Sequence, residues 1–266
     1  MSDLSYTQEF YLCAVNAKGK FPWTNEEALR CLLAGATMEL LESGVIARDA
    51  KGKLHAARAW GDDAVAERLL GDDSPYHDAS RTPDPLARPA GANTVDDRAA
   101  YAELAPEPTA TGEPGAYLKP LFDAIAGFPK AKGVDGLVEF YLFGVNPKPF
   151  ARLVQAIGAS LWDAECADQV PGDDQRYAPR RDATMRVIEK IRAEVLEAGS
   201  MPDDMVTLVY LLDRANIIRD YFSKIDAAAL KARLKEVRAS AVPSPAREVL
   251  DKIDQVSALM VAVAVH

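Results

Sequence analysis

The alternation of hydrophobic and polar residues is clearest between Phe21 and Ala57. In the first part of this segment, apolar residues recur near a 3.6-residue period, which predicts a helix over residues 28–41. Thr24 and Glu27 have the spacing of a capping box at its start, and Gly44 suits the left-handed conformation that ends many helices. Residues 45–48 and 53–56 then flank a turn-rich tetrad, which predicts a β-hairpin. The segment therefore predicts a helix that leads directly into a two-stranded wing.

Most of the remaining chain also has helical periodicity. Residues 205–222 are apolar on nearly every side and are expected at the centre of the core, whereas residues 226–240 are amphipathic and should lie outside. A helix is expected to start at Phe150 and to end at Gly158. An extended piece at 161–162, an acidic loop at 163–174 and a basic loop at 176–181 are expected to follow it. Further helices are predicted over residues 6–15, 116–128, 134–143, 183–198 and 243–265.

These predictions give a mainly α fold: a helical bundle core surrounded by amphipathic helices, with one or two short β-hairpins. A single domain over residues 1–266 is expected, because apolar helices lie on both sides of an acidic segment at about 60–106. That segment is rich in paired aspartates and prolines and poor in large apolar residues, so a partly flexible surface insertion is expected. Calcium binding is the alternative, although the aspartate spacing does not match a calcium-binding loop.

Composition limits the classes of partner. The chain carries a net charge of −9 and a pI near 5.0, which argues against nucleic acid or anionic lipid over the whole surface but allows a local basic patch. Cys13, Cys31 and Cys166 have no metal-like spacing, and the first two are expected to be small core residues in a reducing compartment. No signal peptide is visible at the N-terminus, and the apolar run at 256–265 is too short to cross a bilayer, so a soluble, cytoplasmic protein is expected.

Residues for catalysis do not cluster in the sequence. His55, His77 and His266 share no helix face and lack zinc-ligand spacing. No serine lies in a nucleophile elbow, no cysteine has an evident base nearby, and the glycines do not form a phosphate-binding loop. We therefore expect a non-enzymatic protein that needs no cofactor and no metal.

Several stretches together resemble the Golgi phosphoprotein 3 family, including its bacterial members. Residues 7–23 are similar to the family's opening helix and the tryptophan-bearing turn after it, and residues 32–46 to its small-residue helix ending in a glycine before a hairpin. Pro-Thr-Ala-Thr-Gly-Glu at 108–113 resembles the family's entry to the next helix, and residues 206–218 resemble its closing portion. The likeness covers most of the chain apart from about 60–106.

The resemblance implies a helical domain with a protruding hairpin, and a peripheral membrane protein that binds phosphatidylinositol 4-phosphate and acts as an adaptor. It places the lipid-site tryptophan at Trp23 and the next arginine at or near Leu33, with Arg30 as a substitute one turn earlier. Two further arginines of the family fall near Lys148 and Arg152. The resemblance therefore implies phosphoinositide or anionic phospholipid head-group binding through Trp23, Arg30, Lys148 and Arg152. Arg180 and Arg181 form another basic pair, to which it gives no role.

Each of these residues also has a structural explanation. Trp23 could staple its own helix, Arg30 could be an exposed charge paired with Glu26, and Lys148 and Arg152 could belong to a solvated face. A winged-helix nucleic-acid binder is the alternative function, with residues 28–43 as recognition helix, but that helix holds Arg30 as its only basic residue. A purely protein–protein interaction module is a third hypothesis. The sequence does not indicate the oligomeric state.

Overall fold

A computed structural model describes residues 4–21, 26–60, 114–143, 147–196 and 202–239. The described chain is mainly helical with two small antiparallel sheets, which confirms the predicted fold class. The α-helices are α1 (Tyr6–Ala14), α2 (Glu26–Glu42), α3 (Lys119–Ala126), α4 (Val134–Val138), α5 (Lys148–Asp163), α6 (Arg181–Leu196), α7 (Asp203–Arg214), α8 (Ile218–Tyr221) and α9 (Lys224–Ala239). The strands are β1 (Ile46–Arg48), β2 (Lys53–Ala56), β3 (Lys132–Gly133), β4 (Ala167–Gln169) and β5 (Tyr177–Pro179). A 3₁₀ turn at Ala116–Leu118 precedes α3, and a π-helical turn at Glu139–Phe143 follows α4.

Helices α1, α2 and α7 form the centre of the core. All nine residues of α1 are buried, and α1 packs against both α2 and α7. A capping box fixes its start: Ser5 Oγ accepts from the backbone N–H of Gln8, and Gln8 Oε1 accepts from the backbone N–H of Ser5. The apolar segment predicted to be central begins in α7 and does occupy this position.

The amphipathic helices lie outside this centre. Helix α6 packs against α1, and α9 packs against α6 and α7, as its predicted superficial position requires. Lys190 on α6 donates to Glu9 on α1 over 3.0 Å, and Thr184 Oγ1 donates to the carbonyl of Leu12 over 2.9 Å. These polar contacts fix α6 in register along α1.

The predicted hairpin forms and gains a third strand. Gly44 ends α2 with φ of 71°, in the left-handed conformation that a glycine adopts without strain. Strands β1 and β2 then pair antiparallel, with Ala47 opposite His55. Strand β3, which the sequence did not predict, pairs with β2 and places Lys53 opposite Gly133. Since β3 has only two residues, it is too short for any period to reveal it.

The helix predicted from Phe150 is present, but its predicted end at Gly158 and the extended piece at residues 161–162 were wrong. Helix α5 continues through Gly158 to Asp163, so Leu161 and Trp162 are helical and not extended. Gly158 lies where α5 meets other elements: a Cβ atom there would lie 2.9 Å from the Tyr11 hydroxyl and 2.7 Å from the Tyr177 ring. Close packing, and not helix termination, explains the glycine at this position.

Two further local predictions were wrong. Parts of the expected acidic and basic loops pair as β4 and β5, with Asp168 opposite Ala178. The helix expected over residues 205–222 ends at Arg214, because Asn216 adopts φ of 60°, and the short helix α8 follows. Asparagine tolerates this left-handed conformation better than most residues, so it can interrupt an apolar helix.

Several predictions lie outside the described residues. These are the Thr24 cap, Trp23, the acidic segment from residue 61 onward, the C-terminal helix at 243–265, His77 and His266.

Candidate functional site

Arg30 pairs with two carboxylates of its own helix. Its Nη1 donates to Glu27 Oε1 over 2.8 Å and its Nη2 to Glu26 Oε2 over 3.2 Å. The predicted pair with Glu26 is therefore present, but the expected exposure is wrong, since Arg30 is only 6% exposed. One guanidinium shared by two carboxylates leaves a net local charge of −1, which disfavours a phosphate at this position.

The resemblance places an arginine at or near Leu33, and this leucine is only 1% exposed. Residues 30–38 of α2 are all buried between α1 and α7. A side chain at position 33 therefore points into the core, where an unpaired charge would be strongly disfavoured. The same burial leaves the middle of α2 without a face that could enter a DNA groove.

Lys148 and Arg152 lie together at the start of α5. They are one helical turn apart, and both residues are exposed. Helix α5 packs mainly on α3, the 3₁₀ turn and the second hairpin, whereas α2 packs mainly on α1 and α7. The structure thus brings Lys148 and Arg152 together on α5. Helix α2, which holds Arg30, is not one of the main packing partners of α5.

The start of α5 differs in charge from the starts of the other described helices of twelve or more residues, although the eight-residue α3 also lacks an acidic first turn. Its first turn contains no acidic residue, and no side chain caps its N-terminus. By contrast, the first turns of the other long helices contain Glu26 and Glu27, Asp182, Asp203 and Asp204, and Asp226. Uncapped amide N–H groups and the helix dipole add partial positive charge to that of Lys148 and Arg152. This is a local cationic site on an acidic chain.

Trp23 lies outside the described residues, between Phe21 and Glu26. Phe21 is buried and its ring contacts that of Tyr11 edge-on, with the centroids 5.9 Å apart. The chain thus enters the segment that holds Trp23 from a buried anchor, and the role of Trp23 stays a prediction.

Arg180 and Arg181 have different environments. Arg180 is paired with Asp168, with Nη2 and Oδ1 2.8 Å apart, and its Nη1 donates to the carbonyl of Glu165 over 3.1 Å. Arg181 is exposed at the first position of α6, next to Asp182. Because the structure neutralises Arg180 locally, the pair is a weaker anion site than the start of α5.

The sequence did not predict a cluster of tyrosines and carboxylates where α1 begins and α2 ends. The Tyr6 hydroxyl donates to Glu42 Oε2 over 2.9 Å, and the Tyr117 hydroxyl donates to Glu39 Oε2 over 2.5 Å. Partial desolvation, helped by the negative charges of Glu39, Asp203 and Asp204, raises the pKa of Glu42 to about 7, against the lowering effect of the Tyr6 hydrogen bond. Desolvation and the Glu39 charge also raise the pKa of Tyr117, so this hydroxyl stays protonated. The cluster joins elements far apart in sequence, so only the fold reveals it.

The described part of the chain has no group of three or more His, Cys, Asp or Glu side chains that could hold a metal ion. Cys13, Cys31 and Cys166 are all buried free thiols, which confirms the core position predicted for the first two. Among the described residues, no helix is both long and apolar enough to span a membrane.

Comparisons with known proteins do not add a family to this picture. No family model matches the chain, and no curated protein matches it significantly.

Proposed function

We propose that this protein is a peripheral membrane protein that binds the head groups of anionic phospholipids, in the manner that its resemblance to the Golgi phosphoprotein 3 family implies. An adaptor role, in which the membrane-bound protein holds a protein partner, belongs to the same proposal. The element order fits this resemblance, since a small-residue helix, a glycine stop and a hairpin follow one another.

The observation that carries the proposal is the cationic start of α5. Lys148 and Arg152 lie one turn apart beside a helix N-terminus without an acidic first turn. A phosphate group at this place could accept charge-assisted hydrogen bonds from both side chains while it meets the positive end of the helix dipole. Arginine and lysine are the side chains that most often bind phosphates in this way.

The proposal covers anionic phospholipids as a class and not one phosphoinositide. Arg30 is already bound to Glu26 and Glu27, and Leu33, at or near the position of the expected arginine, lies within the core. The one cation that the resemblance expects on α2 is therefore not offered there, either near position 33 or by its substitute Arg30. What remains on α5 suits recognition of negative charge more than recognition of one head group.

Vesicle co-sedimentation tests the proposal. The full chain is mixed with four kinds of vesicle: pure phosphatidylcholine, and phosphatidylcholine with added phosphatidylglycerol, phosphatidylserine or phosphatidylinositol 4-phosphate. A gel shift with duplex DNA runs in parallel. We expect binding to every anionic vesicle, no binding to pure phosphatidylcholine and no DNA shift. A DNA shift without vesicle binding would favour the nucleic-acid alternative, and binding to neither would favour a protein–protein module.

A further inference from the structure

The three-stranded sheet carries a dense group of cations for a protein of net negative charge. Residues 45–58 and 128–133, which form the sheet and its approaches, contain two arginines, four lysines and one carboxylate, Asp49, in a chain of net charge −9. Pairing of β2 with β3 brings these two segments together, because Lys53 lies opposite Gly133 and Leu54 opposite Lys132. We refer to Lys51, Lys53, Lys130 and Lys132 as the lysine sheet.

None of the carboxylates whose side chains the structure describes neutralises the lysine sheet. Among the described residues, none of its four ammonium groups has a carboxylate within ion-pair distance. Lys51, Lys53 and Lys130 are exposed. Asp49 is the one acid within residues 45–58 and 128–133, and it is occupied by the turn, since its Oδ1 accepts the backbone N–H groups of Lys51 and Lys53 over 2.9 and 2.8 Å. These hydrogen bonds lower the pKa of Asp49 and keep it in the turn.

A row of aromatic rings links the lysine sheet to the start of α5. Lys132 Nζ lies 5.5 Å from the centroid of the Phe128 ring, and the Phe128 ring lies 5.0 Å from that of Phe140. The row continues from Phe140 to Tyr141 at 5.4 Å and from Tyr141 to Phe150 at 6.5 Å. Phe150 lies between Lys148 and Arg152 in sequence, so consecutive contacts connect both cationic regions.

We propose that the lysine sheet is a second contact of this protein with an anionic phospholipid bilayer, joined to the α5 site by the aromatic row. This inference rests on the proposed function and extends the surface that carries it. Charge complementarity selects the bilayer, because lysines on flexible stems suit a diffuse layer of lipid phosphates. The rings of Phe128, Phe140 and Phe150 are half-buried and suit the interface below those phosphates, whereas Tyr141 is buried and links them. The short strands and two-residue β3 provide no helix or long ribbon for a nucleic-acid groove.

The test compares two exposed lysines of the sheet with two exposed lysines elsewhere. Lys51→Gln with Lys130→Gln removes two charges from the lysine sheet, and Lys224→Gln with Lys235→Gln removes two charges from α9. None of the four side chains has an ion-pair partner among the described residues, so neither change should unfold the protein, and matching thermal melts check this. Affinity is measured on phosphatidylcholine vesicles that contain roughly 30 mol% phosphatidylglycerol. This share of anionic lipid gives the vesicles a strong negative surface potential.

A lysine near an anionic bilayer contributes roughly fivefold to affinity, so the sheet variant should bind about tenfold or more weakly than wild type. The vesicle affinity of the α9 variant should stay within about twofold of wild type, as expected of lysines that do not approach the membrane. If wild type binds and both variants weaken equally or not at all, the inference is overturned while the proposed function stands. If wild type does not bind these vesicles, or binds duplex DNA instead, both are overturned.

Discussion

The guanidinium of Arg30 is held by Glu26 and Glu27 in a nearly buried position. Spacing alone predicts the Glu26 pair, because residues four apart meet on a helix. Its burial could not be predicted, since it depends on how α2 packs within the whole core. Burial and double pairing favour the structural explanation of Arg30 over phosphate recognition.

Replacing Arg30 with Met should therefore lower the stability of the protein. The change leaves two neighbouring carboxylates without their cation, and we expect a loss of about 1–2 kcal/mol, less than for a fully buried pair because Glu26 is exposed. Urea unfolding of the variant measures this loss. Glu26→Gln is the control and should cost under about 0.5 kcal/mol, as a partly exposed partner does. An Arg30→Met variant as stable as wild type that loses vesicle binding would instead make Arg30 a ligand.

Glu42 predicts a pH dependence of stability. Its pKa in the folded protein is about 7, above the ordinary 4.5, so the folded state takes up a proton more readily than the unfolded chain. The stabilisation is complete below about 4.5 and is lost as the pH rises through about 7. The free energy of unfolding from urea titrations should therefore fall between pH 5.5 and pH 8, values on either side of about 7.

The Glu42→Gln variant is the control for this effect, because Gln retains an acceptor for the Tyr6 hydroxyl without a charge. Its stability should change less across the same range of pH. If the free energy of unfolding changed equally with pH in wild type and variant, Glu42 would not titrate in this range of pH.

At the scale of elements, the sequence predicts most helices and the first hairpin because each has enough residues to show a period or a turn signal. Helix α5 shows where this fails. Gly158 was expected to end the helix, yet it lies mid-helix where the Tyr11 hydroxyl and the Tyr177 ring approach. A glycine required for close approach and one required for a left-handed turn look the same in sequence.

Gly158→Ala distinguishes these explanations by the sign of its effect. Helix propensity alone would stabilise the variant by about 1 kcal/mol. We expect destabilisation instead, by about 1–2 kcal/mol net, because the added methyl would collide with Tyr177 and disturb the Tyr11 hydrogen bond to the carbonyl of Tyr177. Chemical denaturation decides the matter, and a more stable variant would contradict this packing.

At the scale of the whole molecule, net charge proves a poor guide to local surfaces. Lys51 and Lys130 are 79 positions apart in sequence, and only the pairing of β2 with β3 brings their segments together. Lys148 and Arg152, in contrast, could be predicted as a local pair because one helix turn separates them. The sequence could not predict that the helix start is uncapped and free of acidic residues, because sequence patterns place the first residue of a helix only to within a few positions.

The central claim is that anionic phospholipids bind at the start of α5. It is tested most directly by vesicle co-sedimentation of a Lys148→Gln, Arg152→Gln double variant beside the Lys224→Gln, Lys235→Gln control. At low salt the α5 variant should bind phosphatidylglycerol vesicles about tenfold or more weakly than wild type, with the control close to wild type, and high salt should reduce binding of all three. Wild-type affinity in the α5 variant, with its fold intact, would contradict the account.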